Sequence, residues 1–213
     1  MMTVDRKQII DISWPLSNQI VTYKNKGDVS IMPVRTLEQH GSRESKISCG
    51  MHTGTHIDAP AHFLPTGQTT EQLDLTQLIG VCQVFDLTHL TTKIMVADLQ
   101  QLNFTHKIAL FKTKNSLLPS VGLFDPHFVY LEAAAAQFLV TKHLTVVGVD
   151  GLGVERDQPD HTTHNILFQS NIIIIEGLRL GLVAPGSYDF ICLPLSIIGA
   201  EAALARAILI SRP

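Results

Sequence analysis

Charge is scarce in this chain. Only 16% of its 213 residues are Asp, Glu, Lys or Arg, and the formal net charge is −3 with no Lys/Arg cluster. That balance excludes the basic patch with which proteins hold nucleic acid or an anionic membrane. Long apolar runs are also lacking. A run such as Ile172–Ile175 is far too short to span a bilayer. Met1–Lys7 carries two basic side chains, but no apolar signal-peptide core follows, so the expected location is the cytoplasm. Cysteine is sparse as well. Cys49, Cys82 and Cys192 are scattered, odd in number and form no CxxC pair. All three are expected to be buried, reduced thiols. Cys49 lies three residues before His52, which leaves a metal-proximal role as its weaker alternative. There is no internal repeat, linker or low-complexity stretch.

What the chain does have is apolar surface to bury. Hydrophobic residues make up 45% of it, enough for one large domain over residues 1–213. The low charge also points to a face covered by another subunit. Gln8–Trp14 reads as a strand that ends at Pro15. Val29–Thr36 and Glu44–Cys49 flank a polar turn, Glu38–Arg43, and predict an antiparallel hairpin. In its second arm Ser45, Ile47 and Cys49 share one face. Gly50–Gly67, with three Gly and two Pro, predicts irregular loop rather than helix. Further on, strands are expected at Val81–Leu87, Ile108–Lys112, Leu144–Asp150, Ile172–Glu176, Phe190–Leu193 and Ala207–Ile210. Helices are expected at Val96–Leu102 and Leu131–Thr141. Val/Ile runs separated by helices predict a partly parallel sheet covered by helices, hence a mixed α/β domain.

Four potential metal ligands fall within eleven positions: His52, His56, Asp58 and His62. Imidazole and carboxylate suit Zn, Mn or Fe, and no thiolate belongs to the set. His52 and His56 stand at i, i+4, the spacing of one helix face, but Gly54, Thr55 and Pro60 argue against a helix. A tight loop turning at Gly54 is expected instead. In extended chain His56 and Asp58, two apart, point the same way and can face one metal.

A second cluster holds Asp157, Asp160, His161, His164 and Glu176. Glu176 closes a buried strand, a common place for a site carboxylate. The competing reading makes Glu176 a solvated strand end and puts His161 and His164 on an exposed helix. Trp14 and Phe63 suit either an aromatic pocket or plain core. His40, His89, His106, His127 and His143 lack a partner motif and read as surface or structural. Arg206 reads as a solvated or interface charge.

The run His52-Thr53-Gly54-Thr55-His56-Ile57-Asp58-Ala59-Pro60-Ala61-His62-Phe63 closely resembles the signature of the cyclase family, which includes bacterial kynurenine formamidases and isatin hydrolases. Asp11–Leu16 resembles the family's opening strand, and Gly148–Gly151 its central strand. Ile175–Leu178 is similar to the segment around its glutamate, and Tyr188–Pro194 and Ala205–Leu209 to its closing strands. The resemblance implies an α/β fold, a single mixed-sheet domain of the swivelling β/β/α type. It implies one or two divalent ions per subunit, Zn first and Mn second. His52, His56 and Asp58 would hold the first ion, Asp58 would bridge, and His164 and Glu176 would complete the second. His62 would be the general acid/base. The chain departs from the formamidase pattern at Val21–Asp28, which lacks a proline, at Gly151–Glu155, and at Gly199–Leu204. All the metal residues are intact.

The activity this implies is hydrolysis of a small amide, such as an N-formyl aryl amide, by metal-activated water. Hydrolysis of a cyclic amide or lactone is the runner-up. A metal-binding member without catalysis is the reading from a different class. The expected partners are a small-molecule substrate and further copies of the chain in a homodimer or homotetramer, with neither nucleic acid nor membrane.

Overall fold

A computed structural model describes residues 9–27 and 29–212. The basic stretch Met1–Lys7, the strand start Gln8 and Asp28 lie outside the described residues. In chain order the elements are β1 (Ile9–Asp11), β2 (Ser30–Arg35), α1 (Leu37–His40), β3 (Glu44–Ser48), β4 (His56–Asp58), β5 (Ile79–Asp86), β6 (Lys93–Ile94) and α2 (Val96–Gln100). They continue as β7 (Ile108–Lys112), β8 (Tyr130–Leu131), α3 (Ala133–Val140), β9 (Val146–Val149), α4 (Thr162–Gln169), β10 (Ile173–Glu176), β11 (Gly186–Pro194) and β12 (Ala202–Ser211).

An eight-stranded mixed sheet runs β1-β12-β11-β5-β7-β9-β10-β4, and β4 pairs with β12 as well, so the sheet closes on itself. β5, β7, β9 and β10 are parallel neighbours. A helix lies between each consecutive pair, α2, α3 and α4 in turn, as parallel pairing requires. The strands alternate between two cores. Ile108 and Leu110 of β7, Val146 of β9, and Ile173 and Ile175 of β10 fill the interior of the closed sheet. Ala109, Phe111, Val147, Val149 and Ile174 face outward and pack under α3 and α4 with Ala136, Leu139, Leu167 and Phe168. Burial on both faces explains why these strands read as continuous apolar runs.

The mixed α/β expectation holds, and the element boundaries move. The first strand is only Ile9–Asp11, because β12 offers β1 a short edge beside β4. The expected helix at Leu131 begins at Ala133, since Leu131 is spent pairing with Ile94. The last two strands are longer than the apolar runs suggested, Gly186–Pro194 and Ala202–Ser211. The hairpin is present as β2 and β3. Its alternation buries nothing, however, because β3 is exposed along its whole length in a two-stranded ribbon with no third layer. Cys82 and Cys192 are buried free thiols, whereas Cys49, at the foot of that ribbon, is only half-buried. Trp14 is core, and its indole N–H donates to the Ser120 carbonyl at 3.0 Å. No helix among the described residues is long and apolar enough to cross a membrane.

Candidate metal centre

The expected loop Gly50–Gly67 contains a strand, and that strand builds the site. β4 lies between β10 and β12, antiparallel to both. Ile57 points into the closed sheet with Ile173 and Ile175. By alternation His56 and Asp58 must point to the other side. Glu176 sits directly opposite His56 in the β10 register, so it shares that side. α4 covers the same face and turns His164 inward among the buried residues Thr163, Leu167 and Phe168. His164 therefore does not lie on an exposed helix, and Glu176 is not a solvated strand end.

Two glycines allow this crossing. Gly54 turns the motif at φ +59° and Gly177 ends β10 at φ +68°. A Cβ on Gly177 would lie 2.1 Å from the Gly54 carbonyl oxygen, so no other residue fits. Thr55 ties the crossing together. Its hydroxyl donates to the Gly177 carbonyl at 2.6 Å and accepts the Trp14 N–H at 2.7 Å.

Asp58 is the hub. Its Oδ1 lies 2.9 Å from His52 Nδ1 and 3.4 Å from His56 Nε2, and its Oδ2 lies 3.6 Å from His164 Nε2. Glu176 is 3.3 Å from His56 Nε2 and 3.5 Å from His164 Nε2. Despite this crowding, both Asp58 oxygens, His56 Nε2 and His52 Nε2 are buried without a hydrogen-bond partner. Buried polar atoms left unpaired are costly. Here they come from two histidines and the carboxylate of Asp58, and with His164 and Glu176 beside them the donor set fits a divalent cation. His56 Nδ1 lies 3.0 Å from the Gly54 carbonyl, which takes its proton and leaves the Nε2 lone pair facing Asp58.

The charges report the same fit. Burial opposes charge on His56, but Asp58 and Glu176 override it and push the imidazole up to about 10. His164 is likewise held well above its usual value against burial by Asp58, Glu155 and Glu176. Burial and Asp58 raise Glu176, yet His164 and His56 pull it down to about 2. The carboxylates thus make a field negative enough to protonate buried rings, and a dication meets the same field. His62 differs. Burial drops it to about 4, leaving it neutral at pH 7. Its ring lies 4.1 Å from the His52 ring and 5.8 Å from that of His164, centroid to centroid.

These groups open into a cavity of about 510 Å³. Its rim holds Tyr23, Lys24, Phe63, Asp157, Gln158 and His161. Phe63 stacks on His161 at 4.1 Å and so belongs to the pocket wall. Five of the expected site residues, His52, Asp58, His62, His164 and Glu176, line this one space, and the sixth, His56, lies fully buried behind it against Asp58 and Glu176. Asp157 and His161 reach only its rim, and Asp160 stays outside, its carbonyl accepting from Asn165. Cys49 is absent from the converging groups. The sequence reading missed Glu155, a buried carboxylate beside His161 and His164. A carboxylate six and nine residues ahead of two histidines was the available signal. The Tyr23-Lys24 wall falls within Val21–Asp28, the segment where the chain departs from the formamidase pattern.

A closed mixed sheet with a His/Asp/Glu cluster at the end of its parallel strands is the architecture of a metal-dependent hydrolase. The chain belongs to the cyclase family, whose family model matches residues 10–156. It is 35% identical over 202 residues to the kynurenine formamidase of Bacillus cytotoxicus, covering 94% of this chain and 96% of that protein. It is similar to the solved structure of a predicted metal-dependent hydrolase from Bacillus stearothermophilus, with 39% identity, TM-score 0.85, and coverage of 96% of this chain and 98% of the other. Isatin hydrolase A from Ralstonia solanacearum shares the fold at 20% identity and TM-score 0.82, over 96% and 92% of the two chains.

Proposed function

We propose that this protein is a metal-dependent amide hydrolase whose substrate is an N-formyl aryl amide of the kynurenine type. One observation carries the reading: unpaired buried ligand atoms of His52, His56 and Asp58 lie beside a neutral, half-buried His62 in an aromatic-walled cavity. His52, His56, Asp58, His164 and Glu176 would hold one or two divalent ions, Zn first and Mn as the alternative. Bound there, such an ion supplies an acidified water and a Lewis acid for the carbonyl. The chain's own residues do the rest. Asp58, whose two oxygens face three imidazoles, would be the ligand shared between the ions if two bind. His62, uncharged at neutral pH, accepts a proton at a ring nitrogen and returns it to the leaving nitrogen. Phe63 and His161 offer a stacked edge to an aryl ring.

The same reading gives one domain over residues 1–213 working as a homodimer or homotetramer in the cytoplasm. Met32, Val34, Leu37 and Ile47 are about half exposed on the hairpin arm, with Met32 and Ile47 on opposite sides of the ribbon, apolar surface that a second copy would cover. Its unpaired thiols suit a reducing compartment.

The test is hydrolysis of N-formylkynurenine, isatin and a plain aryl ester by the Zn-reconstituted protein, with a chelated sample and His62→Ala alongside. Turnover of N-formylkynurenine is expected, abolished by chelation and reduced about 10²–10⁴-fold in His62→Ala. Preference for isatin or the ester would replace the substrate. Stoichiometric metal with no turnover of any of them would overturn this substrate assignment and leave either a substrate outside these classes or a metal-binding member without catalysis.

A further inference from the structure

The loop from β9 to α4 carries a carboxylate that no step above uses. Glu155 is 6% exposed, and both of its oxygens are engaged. Oε2 accepts the backbone N–H of Thr163 at 3.0 Å and, at 3.4 Å, that of His164. These are first-turn amides of α4, which have no partner within the helix, and the cap residue His161 offers them no side-chain bond. Oε1 lies 2.8 Å from His161 Nδ1 and 3.2 Å from His164 Nδ1. The approach to His164 is oblique, and that buried nitrogen has no other partner. A carboxylate in this place draws the proton of His164 onto Nδ1. The Nε2 lone pair then faces Asp58 and Glu176, 3.6 and 3.5 Å away. For His56 the Gly54 carbonyl plays the same part.

We propose that Glu155 is a positioning residue that fixes the rotation and tautomer of His164 for metal binding, gripping both its ring and its backbone, and that couples it to His161 at the pocket mouth. The proposal rests on the reading of His164 as a metal ligand. Glu155→Gln separates this role from simple helix capping. The amide oxygen can still accept the two backbone N–H groups, but the charge behind the imidazole is gone. Loss of such an outer partner weakens metal binding by about 10–100-fold.

The experiment measures Zn(II) affinity by competition with a chelating indicator, and the visible absorption of the Co(II)-substituted protein. It compares the parent with Glu155→Gln, Glu155→Asp and His164→Ala. Expected for Glu155→Gln are about 10–100-fold weaker Zn(II) binding, an altered Co(II) spectrum, and a metal-free unfolding midpoint near that of the parent. Should Glu155→Gln not fold, Glu155→Asp keeps the charge but shortens its reach, and weaker Zn(II) binding is expected there too. Unchanged affinity and spectrum in the variant that folds, with His164→Ala still weakened, would make Glu155 a helix cap only. Unchanged affinity in His164→Ala would remove His164 from the ligand set, and the proposal with it.

Discussion

The floor and the rim of the cavity are built on opposite physical terms. On the floor His56, Asp58, His164 and Glu176 are buried, and each has its ionisation displaced by the others. On the rim Lys24 and Asp157 are exposed and meet each other as a single pair, while His161 is tied to the floor through Glu155. A buried charge without its counter-charge is expensive, whereas an exposed pair can be lost at little cost. The floor should therefore act as one unit for holding metal, and the rim as separate parts for selecting substrate.

The strongest way to break this division is Asp58→Asn. The change keeps the shape and removes the charge that faces three imidazoles. Metal content should fall below stoichiometry in the purified variant, and amide hydrolysis should drop by more than the roughly 100-fold that loss of an outer partner costs, because the ion would supply the acidified water and the Lewis acid. Elemental analysis alongside kcat reads both. Full metal occupancy with normal turnover would mean that the floor does not act as a unit around Asp58.

A second test uses pH, because two imidazoles of the floor, His56 and His164, are raised. His56 rises from 6.5 to about 10 in the folded protein. Its contribution to metal-free stability is fully present below 6.5 and is lost as pH climbs toward 10. Metal needs the neutral ring and displaces that proton, so affinity should rise over the same window by up to about tenfold per pH unit for each proton released. Asp58 and Glu176 are lowered instead, and their contribution disappears only in acid. Unfolding midpoints taken at about pH 7 and about pH 9 should fall for the metal-free protein and hold or rise for the Zn-loaded one. Equal slopes for both forms would show that no floor proton is exchanged for metal.

The two halves of the floor were unequally legible in the sequence. His52, His56 and Asp58 could be grouped because they lie within seven positions, and the i, i+2 argument for His56 and Asp58 survived intact once β4 proved to be a strand. That strand went unseen because three residues between Gly54 and Pro60 carry too little periodicity to register. His164 and Glu176 are more than a hundred residues away; the pairing of β10 with β4 brings in Glu176, and α4, packed over the same face, brings in His164. From residue types alone they were evenly balanced against a solvated helix and strand end, and the family resemblance tipped them. Glu155 was read as loop because its role depends on where α4 starts. The parallel strands were legible because both faces are buried. The alternation of β3 gave the hairpin correctly, but an alternating pattern says which residues share a face and not whether anything covers it.

The smallest expected effect lies on the rim, and it tests selection apart from chemistry. Lys24 Nζ pairs with Asp157 Oδ1 at 3.3 Å at the cavity mouth. Both side chains are well exposed, so the pair itself adds little to stability. Opposite charges this close suit a substrate that carries both an ammonium and a carboxylate, as an amino-acid side arm does. In Lys24→Ala the metal content, the unfolding midpoint and kcat should stay as in the parent. KM for a carboxylate-bearing formamide should rise about two- to fivefold, the scale of one exposed charge contact. KM for an uncharged aryl formamide should not move. An equal rise for both substrates would make Lys24 a packing element against Tyr23 rather than a selector. A loss of metal would place it with the floor and erase the division between the two regions.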